Sequence, residues 1–222
     1  MASDRKEQLR DWLAKQRYQA IIELAGRKKR VLSFLTALTY DTDPLISWRA
    51  VEVIGLAAGR IAADDPEFVR NHVRRLMWLI NHESGGIGWR TPETIGEILR
   101  SCPECFAEFV PILLSCLDME EQDAVRFRAG TLWAIGRLGQ VMPEAVRGAV
   151  AGVFHCLDDP NPQVRGLAAW CLGELGTAEH LASHSLLLAD ESLVDFYENG
   201  QLISKSVAQL ARTALETSRQ TG

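Results

Sequence analysis

Residues 158–176 read DDPNPQVRGLAAWCLGELG, and the fold follows from how this stretch is divided. Asp158 to Pro162 is a turn, since two prolines among Asp and Asn cannot continue a helix. From Val164 onward apolar residues recur at three- and four-residue steps. Val164, Ala168, Cys171, Leu172 and Leu175 share one face of an α-helix, which must be core. Gly166, Trp170 and Gly173 fall on the opposite face.

Three other segments align with this helix. WRAVEVIGLA from Trp48, WRTPETIGEI from Trp89 and AGTLWAIGRL from Ala129 match GLAAWCLGEL from Gly166. Their glycines, Gly55, Gly96, Gly136 and Gly173, are spaced 41, 40 and 37 residues apart. Ahead of each lies another apolar-periodic helix ending in a polar turn: FLTALTYDTDP, WLINHESGG, LLSCLDMEEQD and VFHCLDDPNP. The unit is therefore two helices, A and B, separated by a turn. A paired-helix unit of about 40 residues has the period of HEAT or armadillo-type solenoids.

The stretch 158–176 resembles the short HEAT-like repeat of the phycobilin-lyase type, with its Asp-Pro turn, Val-Arg pair and Leu-Gly ending. The resemblance covers residues from about 30 to 177. The second unit, WLINHESGGIGWRTPETIGEIL, departs from that pattern through a Gly-rich turn without the Val-Arg pair, and is similar to a signature of a bacterial HEAT-repeat family. The resemblance implies an all-α, HEAT-like right-handed α-solenoid of about five helical pairs. It implies a scaffold and no particular activity.

The chain is expected to be a single repeat domain over 1–222. Capping helices would occupy 1–42, central repeats 43–177 and a C-terminal cap 178–222. Ser3 is placed to cap a first helix over Asp4 to Gln16, and a second carries Ile21, Ile22 and Leu24. At the other end SLVDFYENGQLISKSV breaks helical periodicity around Asn199-Gly200, the strongest short hairpin signal. A β-hairpin near 193–204 is expected to lie against the helices, because a lone hairpin is marginal in water. A last helix follows, capped by Ser206 and carrying Val207, Leu210, Ala211 and Leu215.

Hydrophobic residues make up 47% of the 222-residue chain and charged residues 24%, with a mean hydropathy of −0.04. That composition excludes intrinsic disorder. The charged start MASDRKEQLRDWLAKQR is not a secretory signal, and no apolar stretch is long enough to span a membrane. Five cysteines in a chain this size argue for a reducing, cytoplasmic compartment over a disulfide framework. Residues 1–30 hold nine Lys/Arg against four Asp/Glu, and the remainder fifteen against twenty-five. A pI near 5.6 gives no electrostatic footprint for nucleic acid. The run Arg27-Lys28-Lys29-Arg30 reads as a solvated loop between helices.

Carrying the register of Gly166 and Trp170 to the other units gives Trp48 with Glu52, Trp89 with Glu93, and Ala129 with Trp133. In each pair the residues sit one helical turn apart. In HEAT-like solenoids this face of the B helices lines the concave surface. Four of six tryptophans therefore stand where solvent is expected, two of them beside a carboxylate. Such a face suits a cationic or aromatic-bearing protein segment through cation–π contact and charge pairing. Packing of these indoles between neighbouring B helices, or beneath the hairpin, is the competing reading.

Other chemistry finds less support in the residues. The deoxyhypusine hydroxylase type of HEAT-like enzyme uses paired His-Glu motifs to hold iron, and only His82-Glu83 matches. A DNA-alkylation-repair glycosylase needs a basic groove, which the acidic body lacks. Cys102-Pro103-Glu104-Cys105 is a lone CxxC without a second ligand pair or βαβ context, so structural or incidental thiols are expected. Cys116, Cys156 and Cys171 read as buried small hydrophobes. The loop Glu83 to Gly88 lacks the lysine and spacing of a nucleotide motif and reads as a tight turn aiming Trp89. The expected function is a non-enzymatic interaction scaffold without cofactor or metal, gripping a basic or aromatic-bearing protein segment. The alternative is a chromophore- or metal-centre-handling protein using the same groove.

Overall fold

Two of the B helices start where their turns cap them. The Asp43 side chain accepts from the amides of Leu45 and Ile46 at 2.9 and 3.4 Å, with Pro44 beginning the helix. Asn161 does the same for Gln163 at 2.8 Å, with Pro162 following. An oxygen cap followed by proline satisfies amides that have no intrahelical acceptor. The computed structural model describes residues 2–80, 90–118 and 124–221. Its helices are α1 (Ala2–Ala14), α2 (Tyr18–Arg27), α3 (Val31–Leu38), α4 (Pro44–Ala62), α5 (Pro66–Ile80) and α6 (Thr91–Ser101), then α7 (Pro103–Phe106), α8 (Val110–Leu114) and α9 (Ala124–Gly139). They continue as α10 (Pro143–Val146), α11 (Val150–His155), α12 (Pro162–Glu174) and, after strands β1 (Leu193–Glu198) and β2 (Gln201–Ser206), α13 (Val207–Thr221).

The chain forms two compact units, Met1–Ala107 with Tyr197–Leu202, and Glu108–Phe196 with Ile203–Gly222. In the first, α4 lies between α2 and α6, while α1 packs on α3 and α5 packs on α4 and α6. In the second, α12 lies between α9 and α13, with α10 against α9 and α11 against α12. Gly55, Gly96, Gly136 and Gly173 all lie in B helices, α4, α6, α9 and α12, as the repeat requires. The glycines mark close approaches. A Cβ on Gly136 would stand 2.5 Å from the Trp170 ring, and one on Gly173 would stand 2.7 Å from the Ala214 Cβ. Helix α13 thereby takes the place of a next B helix.

The A helices of the second unit are broken where the sequence led us to expect continuous ones. Turns of 3-10 helix at 107–109, 115–118, 147–149 and 156–158 interrupt them. Pro111 and Pro143 remove amide donors there, and Gly148 adds backbone freedom. The hairpin is present and runs two residues past the expected end, to Ser206. Asn199 and Gly200 both take positive φ, 51° and 74°, as a type I′ turn demands. The Ser206 hydroxyl accepts from the Gln209 amide at 3.2 Å while the Gln209 side chain accepts from the Ser206 amide at 2.8 Å, a reciprocal capping box that starts α13.

His72 on α5 is buried, its Nε2 lying 3.1 Å from the Thr36 hydroxyl. Burial, seconded by the charge of Arg75, lowers its pKa from 6.5 to about 4. Between those values the unfolded chain holds the extra proton. His72 thus contributes fully above pH 6.5, and stability falls as pH drops towards 4, by up to about 3 kcal/mol. Urea midpoints across this range should fall less steeply in His72→Gln. Parallel curves for the two proteins would refute the assignment.

Candidate functional site

The B-helix face expected to be wet is closed. Trp48 is 5% exposed, Glu93 6%, Trp133 2% and Trp170 9%. Trp89 lies outside the described residues. In the first unit the cover comes from the hairpin tip and from Arg90. Tyr197 stacks on Trp48 with ring centroids 5.2 Å apart and planes within 2°, and its hydroxyl donates to Glu52 Oε2. The Arg90 guanidinium lies 4.0 Å from the Trp48 ring centroid. It donates to Glu93 Oε1 at 3.3 Å and to the Ser47 hydroxyl at 2.9 Å.

This geometry corrects the open-groove reading. The chain's own Arg90 lies between the Trp48 indole and the Glu93 carboxylate. Arg90 holds φ +56° at the start of α6, a left-handed conformation unusual for arginine. Burial raises the Glu93 pKa, against the pull of Arg90. Burial, then the hydrogen bond to Glu52, raises that of Tyr197, so its phenol stays protonated. Tyr18 lies beside this pair, and burial, then the charge of Glu52, raises its pKa. Below it Arg49 is buried and donates to the carbonyls of Gly200, Leu13 and Ala14 at 3.0, 3.2 and 2.9 Å.

The second unit closes its face differently. Trp170 packs against Gly136 and meets Phe196 edge-on with centroids 5.2 Å apart. The Lys205 ammonium lies 4.6 Å from the Phe196 centroid. Arg137 lies 5.5 Å from the Trp133 ring. A repeated arginine ties turns to helices here. Arg128, eight residues before Gly136, binds Asp159 at 2.8 Å, and Arg165, eight before Gly173, binds Asp190 at 2.7 Å. Arg165 also donates to the Asp159 and Pro160 carbonyls. The arginine at this register, after Phe127 in α9 and after Val164 in α12, thus ties each of these two helices to the turn that follows.

This unit also holds a cleft of about 640 Å³ lined by Leu157, Asp158, Pro160, His184, Leu186 and Leu187, among others. Leu186 is 86% exposed. Sequence reasoning passed over these residues, although LASHSLLLAD (181–190) carried a signal: an apolar run with no helical period. His184 Nδ1 lies 3.2 Å from the Ser183 hydroxyl and Nε2 lies 4.0 Å from Asp158 Oδ2. That carboxylate is exposed and beyond hydrogen-bond reach, so it does not orient the ring as a nucleophile's base requires. Sequence reasoning also passed over Trp78 on α5, an indole 57% exposed.

Cys102 and Cys105, expected to be structural or incidental thiols, are joined by a disulfide. Cys116, Cys156 and Cys171 are buried and free. Burial pushes the first two thiols up to about 11 and the third well above 9. Among the described residues no cluster of three His, Cys, Asp or Glu could hold a metal ion, and no helix is long and apolar enough to cross a membrane. His82-Glu83 and the loop Glu83 to Gly88 lie outside the described residues.

Comparison with curated proteins finds no match. Residues 125–175, which span α12 and nearly all of α9 with the A-type helices between them, match the HEAT-like repeat, and repeats of this kind commonly serve as protein-interaction scaffolds.

Proposed function

We propose that the chain is a non-enzymatic, cytoplasmic interaction scaffold that docks a basic protein segment bearing one apolar anchor. The cleft between 157–160 and 183–190 carries this reading. Leu157, Pro160, Leu186 and Leu187 offer an apolar floor and rim, and Asp158 stands exposed beside them. Arg165 faces the same cleft but is neutralised by Asp190. A cation flanking a buried leucine or aromatic side chain meets both chemistries. The excess of carboxylates over residues 31–222, twenty-five against fifteen, supports the same sign of partner. Within this unit Trp133 and Trp170 enter as packing, since buried indoles offer a partner little area.

Labelled peptides with Lys or Arg flanking Leu or Phe test this against acid-flanked counterparts. The basic set should bind more tightly, and more weakly as salt shortens the screening length. Leu186→Asp and Asp158→Lys should each weaken binding by about 1–2 kcal/mol, roughly five- to thirtyfold. Equal binding of both sets, or variants that bind like the parent, would overturn the reading. The cleft volume also suits a small ligand. A bound small molecule retained on purification and lost in Leu186→Asp would move the function to ligand handling.

A further inference from the structure

Cys102 and Cys105 sit where α6 gives way to α7, Cys102 preceding Pro103 and Cys105 one turn later. The Cys105 amide donates to the Cys102 carbonyl at 3.0 Å, closing the turn that brings the two residues together. Both are half-buried, so a thiolate from solution can reach them. The other three cysteines are buried, and their raised thiol pKa values keep them protonated and inert at neutral pH. The chain thus separates one accessible pair from three protected thiols.

A cross-link over a separation of three residues restrains the unfolded chain far less than a long-range one. As a staple it does little. A cation stands beside it instead. Arg70 of α5 donates through Nη2 to the Cys105 carbonyl at 2.9 Å and lies 5.8 Å from the Phe106 ring centroid. Glu67, the ion-pair partner of Arg70 at 2.9 Å, is solvent-exposed, so its countercharge is largely screened. A guanidinium fixed at the Cys105 carbonyl makes the local potential more positive, which favours a thiolate on that residue.

We propose that Cys102–Cys105 is a thiol–disulfide exchange site that takes a dithiol as reductant and a disulfide as oxidant. In reduction, one thiolate of the dithiol attacks Cys102 Sγ. A mixed disulfide forms, the Cys102–Cys105 bond breaks, and its electron pair leaves as a thiolate on Cys105, the residue whose carbonyl Arg70 holds. The second thiol of the dithiol, deprotonated, attacks its own sulfur in the mixed disulfide and releases Cys102 as a thiolate. Two electrons pass to the protein and the dithiol becomes a disulfide. Oxidation runs the same steps in reverse. Arg70 is a positioning residue, acting through the charge of the leaving sulfur.

The folded, full-length chain tests this, with dithiothreitol as reductant, oxidised glutathione as oxidant, and iodoacetamide labelling read by mass. Dithiothreitol should expose two alkylatable sites without unfolding, and oxidised glutathione should remove both. Arg70→Gln should slow reduction about fivefold, because a poorer leaving thiolate departs more slowly. Arg70→Lys, which keeps the charge, should restore most of the rate. In Cys105→Ser the Cys102 thiolate should attack oxidised glutathione, release glutathione and hold a stable mixed disulfide. A pair that stays oxidised until the chain unfolds would overturn the proposal, as would a reduced pair that does not re-form. Equal reduction rates for wild type and Arg70→Gln would remove Arg70 from it.

Discussion

Replacing Trp133 with alanine should cost roughly 3–5 kcal/mol of folding stability, the range for removing a large aromatic from a packed interior. Trp133 is 2% exposed and among the largest fully buried side chains. It stands on α9, with the Arg137 guanidinium 5.5 Å from its ring. Trp170→Ala should behave similarly, because its ring presses on Gly136 and Phe196. For a chain of this size that corresponds to a fall in melting temperature of very roughly 6–20 °C. Trp78→Ala, at an exposed indole, should lie within about 0.5 kcal/mol of wild type. Urea denaturation of the three variants gives the comparison directly. A loss below about 1 kcal/mol for Trp133→Ala would restore the open groove.

The contrast shows what a sequence can and cannot carry. The repeat was legible because its signal is local and recurs: a capped turn, a core stripe and a glycine every 40 residues or so. The hairpin was legible because Asn199-Gly200 takes left-handed conformations at low cost. Helical periodicity marked one face of α12 as core, and Val164, Ala168, Cys171 and Leu172 there are buried. It could not say what covers the second face. The cover on Trp48 is Tyr197, which binds Glu52 across 145 positions of sequence, and Arg90, which reaches it from a left-handed residue. The packing alternative was visible in principle, because Gly136 and Gly173 leave room only for something that fills it. The CxxC spacing was equally plain, while its oxidation state depended on backbone geometry that spacing alone does not specify. Residues 181–190 stayed unread because an apolar run without period fits a core segment and a docking rim equally well.

Arg49 should prove as costly as the tryptophan, for an electrostatic reason. It is buried, and its guanidinium serves three carbonyls that belong to two distant pieces of chain. Leu13 and Ala14 end α1, where carbonyls lack intrahelical donors and the helix dipole favours a cation. Gly200 is the hairpin turn, 151 positions away. Arg49→Met keeps the apolar stem and removes every donor. Gln16 partly compensates, since its amide donates to Leu13 and its side chain to Gly200 at a long 3.4 Å. The Ala14 carbonyl has no such second donor among the described contacts. With charged hydrogen bonds worth about 1.5–3 kcal/mol each and buried orphans costly, the loss should be about 3–5 kcal/mol. Arg49→Lys should recover only part, because a single ammonium cannot span the fork that meets both sites. The two effects separate by location. Hydrogen exchange should show amides 197–202 losing protection in Arg49→Met before those of α4 or α6, since the hairpin tip depends on this contact and the B helices do not. Uniform loss across the first unit would mean that Arg49 supports the helices themselves. An Arg49→Met protein within about 1 kcal/mol of wild type would mean that water replaces the guanidinium at all three carbonyls.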